Sequence, residues 1–424
     1  MKAETIEAQY IVETPLDPRE VAAVMAGEQS SGTFVRVAGE TDALRARAAA
    51  EVVSVTELAP REAPSLESAY LERKGAGGPY RRARVTIAFP TANMGANLPT
   101  LAATLAGNLY DLGEVTGLRL VDVALPQAFR IRFERPRLGV AGTRRQLAIE
   151  NRPLFGTIIK PNVGMRAEEI AELVDLLCAA GVDFIKDDEI CADPDHAPLA
   201  ERVPAVMRRV RKHRERTGRD VMVAFNITDE TDAMRRHADL VEAEGGSCVM
   251  ASLNWCGLSA LQTLRRATPL AIHGHRNGFG AFSRHPALGI GFGAYQALYR
   301  LAGIDHMHVH GIGGKFSDPA EEVASAARRC LQPLAADAPD EKDAVLPVFS
   351  SGQWAGTMPA TREAVGSADF MFLAGGGILA HPDGPAAGVK SLRQAYEAIA
   401  SGVPLEAAAK RLPELKAALG FFGK

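Results

Sequence analysis

The stretch Asp183-Phe184-Ile185-Lys186-Asp187-Asp188-Glu189 decides how the larger part of this chain is read. Its apolar run reads as a short buried strand, and it ends in a lysine and three acids, too many charges for a strand that stays inside a core. If strand geometry persists through Lys186 and Asp188, their side chains share one face, and a turn just beyond swings Glu189 toward the same point. Two converging carboxylates suit a hard cation such as Mg²⁺. Unmodified, Lys186 would pair with the acids and compete with the metal; carbamylated by CO2, it would add a third anionic oxygen. A salt-bridged strand end is the alternative that the heptapeptide alone leaves open.

Outward from this strand the same rhythm repeats. Strand-like runs at 156–160, 184–186, 221–226, 248–251, 270–273, 306–308, 346–350 and 370–373 alternate with helical runs at 166–180, 199–216, 231–244, 258–266, 286–301, 319–331, 359–365 and 389–400. Eight strand-helix units predict a closed (β/α)8 TIM barrel, with a C-terminal helical extension. The part before it mixes strand-like runs at 8–13, 34–37, 52–58, 83–89 and 118–123 with helical runs at 17–26, 42–50 and 98–112, where Asp17 and Asp42 are candidate caps. That mixture predicts an α+β, ferredoxin-like domain over 1–136, followed by the barrel domain over 137–424.

Composition bounds the function. The 424 residues exceed one ordinary core, and 47% hydrophobic with 23% charged residues are globular values. A net charge of −3 argues against a nucleic-acid or acidic-membrane partner. Five cysteines without a Cys-x-x-Cys pair fit reduced thiols, the N-terminus lacks a hydrophobic signal core, and no apolar run is long enough to span a bilayer. The expectation is a cytoplasmic protein.

Barrel enzymes carry their chemistry at the C-terminal ends of the strands. Those positions hold Lys160; Lys186 with Asp188 and Glu189; Asn226; His273 with His275 and Arg276; His308 with His310 and Lys315; Ser351; and Gly375-Gly376-Gly377. A glycine run leaves backbone N–H groups open to a phosphate, although alone it equally describes a tight turn. Arg276 could grip an anion through a bidentate contact or simply pair with a neighbouring loop. His275 and His308 are candidate proton shuttles, a role to weigh against ordinary structural hydrogen bonding. Lys315, on the Gly311-Ile312-Gly313-Gly314 segment, is a candidate mobile-loop lysine or merely a solvated one.

Gly156-Thr157-Ile158-Ile159-Lys160-Pro161, the Lys-Asp-Asp-Glu cluster, His273-Gly274-His275-Arg276, His306-Met307-His308 with Lys315 following, and Gly375-Gly376-Gly377 resemble the large subunit of RuBisCO in order and spacing. Glu28-Gln29-Ser30-Ser31-Gly32-Thr33-Phe34 and Gly107-Asn108 extend the likeness over nearly the whole chain. The resemblance implies Mg²⁺ held by carbamylated Lys186, Asp188 and Glu189, with Lys160 as acid/base lysine. It implies proton-handling or substrate-orienting roles for His275 and His308, and a carboxylate contact for Lys315. Arg276 and His308 would contact one phosphate end, Thr33, Gly375 and Gly376 the other, and Ser351 a substrate hydroxyl. Glu28 and Asn108 would complete the partner's site in a homodimer.

Departures separate the chain from carbon-fixing members. Asn162 stands where those have a second lysine, Phe34 replaces a tryptophan, Gln353 replaces a glycine, and the loop Gly311 to Phe316 lacks the usual sequence. Gly311 and Gly313 should loosen that loop, at about 1 kcal/mol of ordering per residue. The resemblance is therefore to a RuBisCO-like protein that uses a Mg²⁺-stabilised enediolate without fixing carbon. Asn108 stands near where methionine-salvage members carry a lysine, and Lys315 suits a carboxylated substrate. Both favour decarboxylation of a branched or linear 3-oxo sugar-acid phosphate, and the resemblance suggests 3-oxo-isoapionate 4-phosphate, in carbohydrate catabolism, as that substrate. The alternatives are a transcarboxylase/hydrolase on the same substrate and a 2,3-diketo-5-methylthiopentyl-1-phosphate enolase or isomerase. A non-enzymatic binding barrel would have no reason to keep Lys160, Lys186, Asp188 and Glu189 together.

Overall fold

The computed structural model describes residues 4–32, 37–335 and 338–424. The chain forms two compact units, one within 1–134, 278–302 and 333–340, the other within 135–277, 303–332 and 341–424. Among the described residues no helix is long and apolar enough to cross a membrane.

The first unit is built on strands β1 (Thr5–Thr14), β2 (Glu51–Arg61), β3 (Tyr80–Pro90) and β4 (Gly117–Ala124). In β1, Ile6, Ala8, Tyr10 and Val12 are fully buried while the residues between them are not, the two-residue period that a one-sided sheet demands. β1 lies antiparallel between β3 and β4, and β2 forms an antiparallel edge on β3. The helix Pro18–Glu28 starts where Asp17 accepts a hydrogen bond from the Arg19 N–H at 2.8 Å, as expected. At the next helix, Asp42–Ala48, the cap is instead the Thr41 hydroxyl, which accepts from the Leu44 N–H at 3.1 Å. Most of the strand expected at 34–37, with Thr33 and Phe34, lies outside the described residues.

Glycine accounts for two further differences. The helix expected over 98–112 stops at Ala106, because at Gly107 the chain passes so close to the Ala103 carbonyl that a Cβ would stand 2.4 Å from its oxygen. The run 286–301 is not one helix. Leu288–Ile290 forms a strand parallel to β4, and the helix begins only at Phe292. Gly289 sits at φ 102°, where a side chain is strained, and a Cβ there would also collide with the Phe282 carbonyl.

The second unit is the barrel. Its strands, numbered in chain order around that sheet strand (β10, Leu288–Ile290), are β5 (Leu154–Ile158), β6 (Phe184–Lys186), β7 (Met222–Asn226), β8 (Cys248–Ser252), β9 (Ala271–His275), β11 (His306–His308), β12 (Leu346–Phe349) and β13 (Met371–Leu373). They close in that order, all parallel, with β13 pairing back to β5. Strands buried on both faces explain the continuous apolar runs of the sequence. Leu154, Phe184, Met222, Cys248, Met250, Leu346, Val348 and Met371 fill the interior, and Leu138, Val140 and Leu147 pack against them from the helix Gly139–Leu147 and its entry. A filled interior leaves chemistry to the rim where the strands end.

Candidate active site

Parallel register places Ile158 beside Lys186 and Lys186 beside Ala224, so the residues just past β5, β6 and β7 reach the same rim. Beyond Lys186 the alternation continues. Lys186 and Asp188 turn to one side and Asp187 to the other, where its carboxylate pairs with Arg202 of the helix Leu199–Thr217 at 3.2 Å and accepts from the Asn226 N–H at 2.9 Å. Burial pushes the Asp187 pKa up, and Arg202 and that N–H pull against it. Arg202 also donates to the carbonyls of Ala192 and Ala197, and Asn226 donates to the Asp188 carbonyl at 3.0 Å. The turn that carries Asp188 and Glu189 is thus tied to its neighbours from behind.

On the inner side, Lys186 is 1% exposed, and its ammonium donates to the Asp187 carbonyl at 2.9 Å and lies 3.4 Å from Glu189 Oε2. Burial drives its pKa down, outweighing Glu189, Asp188 and Asp187, which favour the charge. Asp188 is equally buried and takes the Lys160 ammonium at 2.6 Å, while the same ammonium donates to Asn162 Oδ1 at 2.7 Å. His275 Nε2 lies 3.5 Å from Glu189 Oε2. Since His275 Nδ1 accepts from the Asn277 N–H at 3.2 Å, its proton sits on Nε2, toward Glu189. Burial, reinforced by the charge on Lys186, pushes His275 down to about 3, so the ring is neutral at pH 7. Burial works against the Glu189 carboxylate, but Lys186 and His275 outweigh it and bring Glu189 to about 2. With the imidazole neutral, Lys186 is the cation that matters to it.

The other candidates fall around this cluster. His308 is buried with both ring nitrogens engaged, Nε2 to His273 Nε2 at 2.8 Å and Nδ1 to Ser350 Oγ at 3.0 Å, so a phosphate contact would require one of these bonds to be given up. Arg276 donates to Asp318 Oδ2 at 3.0 Å, and His310 bonds the same oxygen. The hydrogen bond from His310 leads in holding Asp318 below the usual carboxylate range. Ser351 adopts φ 74°, and its Oγ is buried without a hydrogen-bond partner, a vacancy that a ligand hydroxyl could fill. Gly375 and Gly376 open the short helix Gly375–Leu379, with open space in front of Gly376. Lys315 is exposed, its ammonium 5.5 Å from the Phe316 ring centroid.

The mobile-loop reading needs correction at Gly311. A Cβ there would stand 2.0 Å from Gln353 Nε2 and 2.6 Å from the Ser350 carbonyl oxygen. Gln353 donates to the Ser351 carbonyl at 3.0 Å and fills the space above it. Gly311 is therefore the small residue that accommodates a large one at 353, and the two departures compensate each other. Gly313, at φ 65° with nothing near it, retains the freedom expected of it.

In the first unit, Asn108 Nδ2 donates to Glu28 Oε1 at 3.3 Å, joining two of the candidates; Thr33 lies outside the described residues. Sequence reasoning gave no role to Asp187, Arg202, Asp318 or the imidazoles of His273 and His306. Arg202 did leave a signal, since it falls on the same helical stripe as Val203, Val206 and Val210, where a lone arginine must find a buried partner. Asp318 left none.

Residues 4–129 match the ribulose bisphosphate carboxylase large chain, N-terminal domain, and residues 139–422 its catalytic domain. The chain is 63% identical to a RuBisCO-like protein of Burkholderia fungorum of known crystal structure, covering 98% of this chain and 99% of that one with a TM-score of 0.93. It is 47% identical to a 3-oxo-isoapionate-4-phosphate transcarboxylase/hydrolase of Xanthobacter autotrophicus, over 99% of this chain and all (100%) of that one. It is 42% identical to a 3-oxo-isoapionate-4-phosphate decarboxylase of Rhizobium etli, over 98% of each.

Proposed function

Taking as premise that the chain belongs to the ribulose bisphosphate carboxylase large-chain family, we propose that it is a Mg²⁺-dependent enzyme that decarboxylates a phosphorylated 3-oxo sugar acid of the 3-oxo-isoapionate 4-phosphate type. The observation that carries this reading is a fully buried lysine with two carboxylates on its own side of the rim.

Two carboxylates and an ammonium do not hold a cation, and among the described residues no three His, Cys, Asp or Glu side chains gather as a ready-made metal site. Burial that lowers the Lys186 pKa makes the free amine accessible, and the free amine is what adds to CO2. The ammonium first gives up one proton; the Nζ lone pair then bonds to the carbon as a C=O electron pair moves onto oxygen, a second N–H proton leaves, and what was a cation is an anionic carbamate. Lys186, Asp188 and Glu189 would then present three anionic oxygen donors, a set that fits Mg²⁺. When bound, Mg²⁺ supplies positive charge at a carbonyl oxygen, which stabilises the electron pair left behind as CO2 departs.

The remaining roles belong to the chain's own side chains. Lys160, freed from Asp188, would hold or deliver the proton at the reacting carbon, with Asn162 Oδ1 keeping it in place. His275 would present its Nε2 proton to a substrate oxygen. Ser351 Oγ would take a substrate hydroxyl, Arg276 and the Gly375 and Gly376 amides would take anionic groups, and Lys315 would meet the carboxylate. Glu28 and Asn108 would act together on the partner's rim in a homodimer.

The 47% identity to a transcarboxylase/hydrolase, against 42% to a decarboxylase, favours a second reading in which the same carbon–carbon bond is broken by transfer or hydrolysis. Both are tested by incubating the purified protein with 3-oxo-isoapionate 4-phosphate, Mg²⁺ and bicarbonate, and measuring substrate loss and CO2 release separately. CO2 released in step with substrate loss supports decarboxylation. Substrate loss without CO2 release supports the second reading, and no substrate loss excludes both.

A further inference from the structure

A line of hydrogen bonds runs along the barrel axis from the helix beneath it to the rim. The Thr143 hydroxyl lies 2.6 Å from the Gly139 carbonyl and 2.9 Å from His306 Nε2. His306 Nδ1 lies 3.3 Å from His273 Nδ1, His273 Nε2 lies 2.8 Å from His308 Nε2, and His308 Nδ1 lies 3.0 Å from Ser350 Oγ. All six residues are buried, and each imidazole in the line has both nitrogens engaged.

One end of this line has no choice of direction. A backbone carbonyl only accepts, so the single Thr143 proton goes to Gly139, and the Thr143 oxygen must accept from His306 Nε2–H. A neutral His306 then has a bare Nδ1, which can only accept from His273 Nδ1–H. His273 Nε2 is consequently bare and accepts from His308 Nε2–H, leaving His308 Nδ1 to accept from the Ser350 hydroxyl. The rings are neutral because burial pushes all three down, His306 to about 4 and His273 and His308 well below their ordinary value.

We infer that Thr143 is a positioning residue that sets the proton order of three histidines, so that Ser350 points its proton inward and offers only lone pairs to the barrel rim. The rim would therefore receive a hydroxyl or N–H donor from the ligand at Ser350, beside the unpartnered hydroxyl of Ser351. Only this last step rests on the proposed function; the proton order stands or falls without it.

The test is a nitrogen NMR spectrum of the isotope-labelled histidines in the full-length protein at neutral pH, which separates the two neutral tautomers from each other and from the cation. The expected result is Nε2–H at His306, Nδ1–H at His273 and Nε2–H at His308; any other pattern overturns the inference. Thr143→Val keeps the shape and removes the anchor, so an unpaired His306 N–H would be left in the core. Reversal of the line relieves it, and His306 Nδ1–H, His273 Nε2–H and His308 Nδ1–H should appear or become mixed with the original set. Thr143→Ser should keep the wild-type pattern. Unchanged tautomers in a folded Thr143→Val protein overturn the inference; if that variant does not fold, the wild-type and Thr143→Ser spectra decide. In the turnover assay the reversal should raise KM about tenfold with a smaller change in kcat. A reversed spectrum with an unchanged KM removes Ser350 from the ligand site while the proton order stands.

Discussion

Lys186→Met should make the metal-free, CO2-free protein more stable while abolishing turnover. The ammonium is 1% exposed and 3.4 Å from Glu189 Oε2, an attraction of about 5 kcal/mol at an effective dielectric of about 20. Glu189 is 34% exposed, so solvent screens part of that gain. Against it stands the loss of ammonium hydration, several kcal/mol in a dry site. The lowered Lys186 pKa gives the sign of the sum, since burial outweighs all three carboxylates. A base shifted down from 10.5 binds fewer protons folded than unfolded, so its penalty is greatest at low pH and fades as pH rises from the folded pKa to 10.5. At pH 7 the penalty is capped at about 5 kcal/mol, roughly 1.4 for each of about 3.5 pH units, because beyond that the lysine gives up its proton. Methionine fills a similar volume without a charge, and Glu189 keeps water and His275 as neighbours. The expected gain is therefore about 1–4 kcal/mol. Urea unfolding in chelator and CO2-free buffer measures it, and a second titration with Mg²⁺ and bicarbonate should stabilise wild type but not the variant. A variant less stable than wild type by more than about 1 kcal/mol, or one stabilised equally by Mg²⁺ and bicarbonate, would refute the reasoning.

Three further perturbations follow from the same geometry. Arg202→Met leaves Asp187 buried without its cation and should cost about 3–5 kcal/mol in denaturant unfolding, with a loss under about 1 kcal/mol counting against the buried pair. The Glu414 carboxylate, which takes Lys390 Nζ at 2.6 Å and Gln394 Nε2 at 2.7 Å, is lowered by those bonds from 4.5 to about 2. Its contribution is present above about pH 4.5 and lost as pH falls through about 2, so Glu414→Gln should be less stable at pH 7 and converge with wild type at the acid end; a pH-independent difference contradicts this. Finally, Glu28→Ala and Lys186→Met subunits, each inactive, should regain about a quarter of wild-type turnover when refolded together, since half of randomly formed dimers carry one intact site. No recovery from a mixture shown to contain hybrids would argue against shared sites.

Chain order alone determined the barrel, the α+β part before it and the rim where Lys160, Lys186, Asp188 and Glu189 come together. Buried parallel strands must be apolar on both faces, so Phe184-Ile185 followed by Lys186-Asp187-Asp188-Glu189 marks the strand's end and the rim together. Two-residue alternation was enough to separate Lys186 and Asp188 from Asp187. Pairings between residues far apart in sequence were not legible, because no local periodicity encodes them. Arg202 behind Asp187, Asp318 on Arg276, and Gly311 making room for Gln353 appear only when the strands close. The run 286–301 has the spacing of one helix, and helical spacing cannot reveal that a neighbouring strand claims Leu288–Ile290. The proton order of His306, His273 and His308 belongs wholly to tertiary structure, since it is set by a carbonyl that can only accept, on a helix folded beneath strands formed much later in the chain.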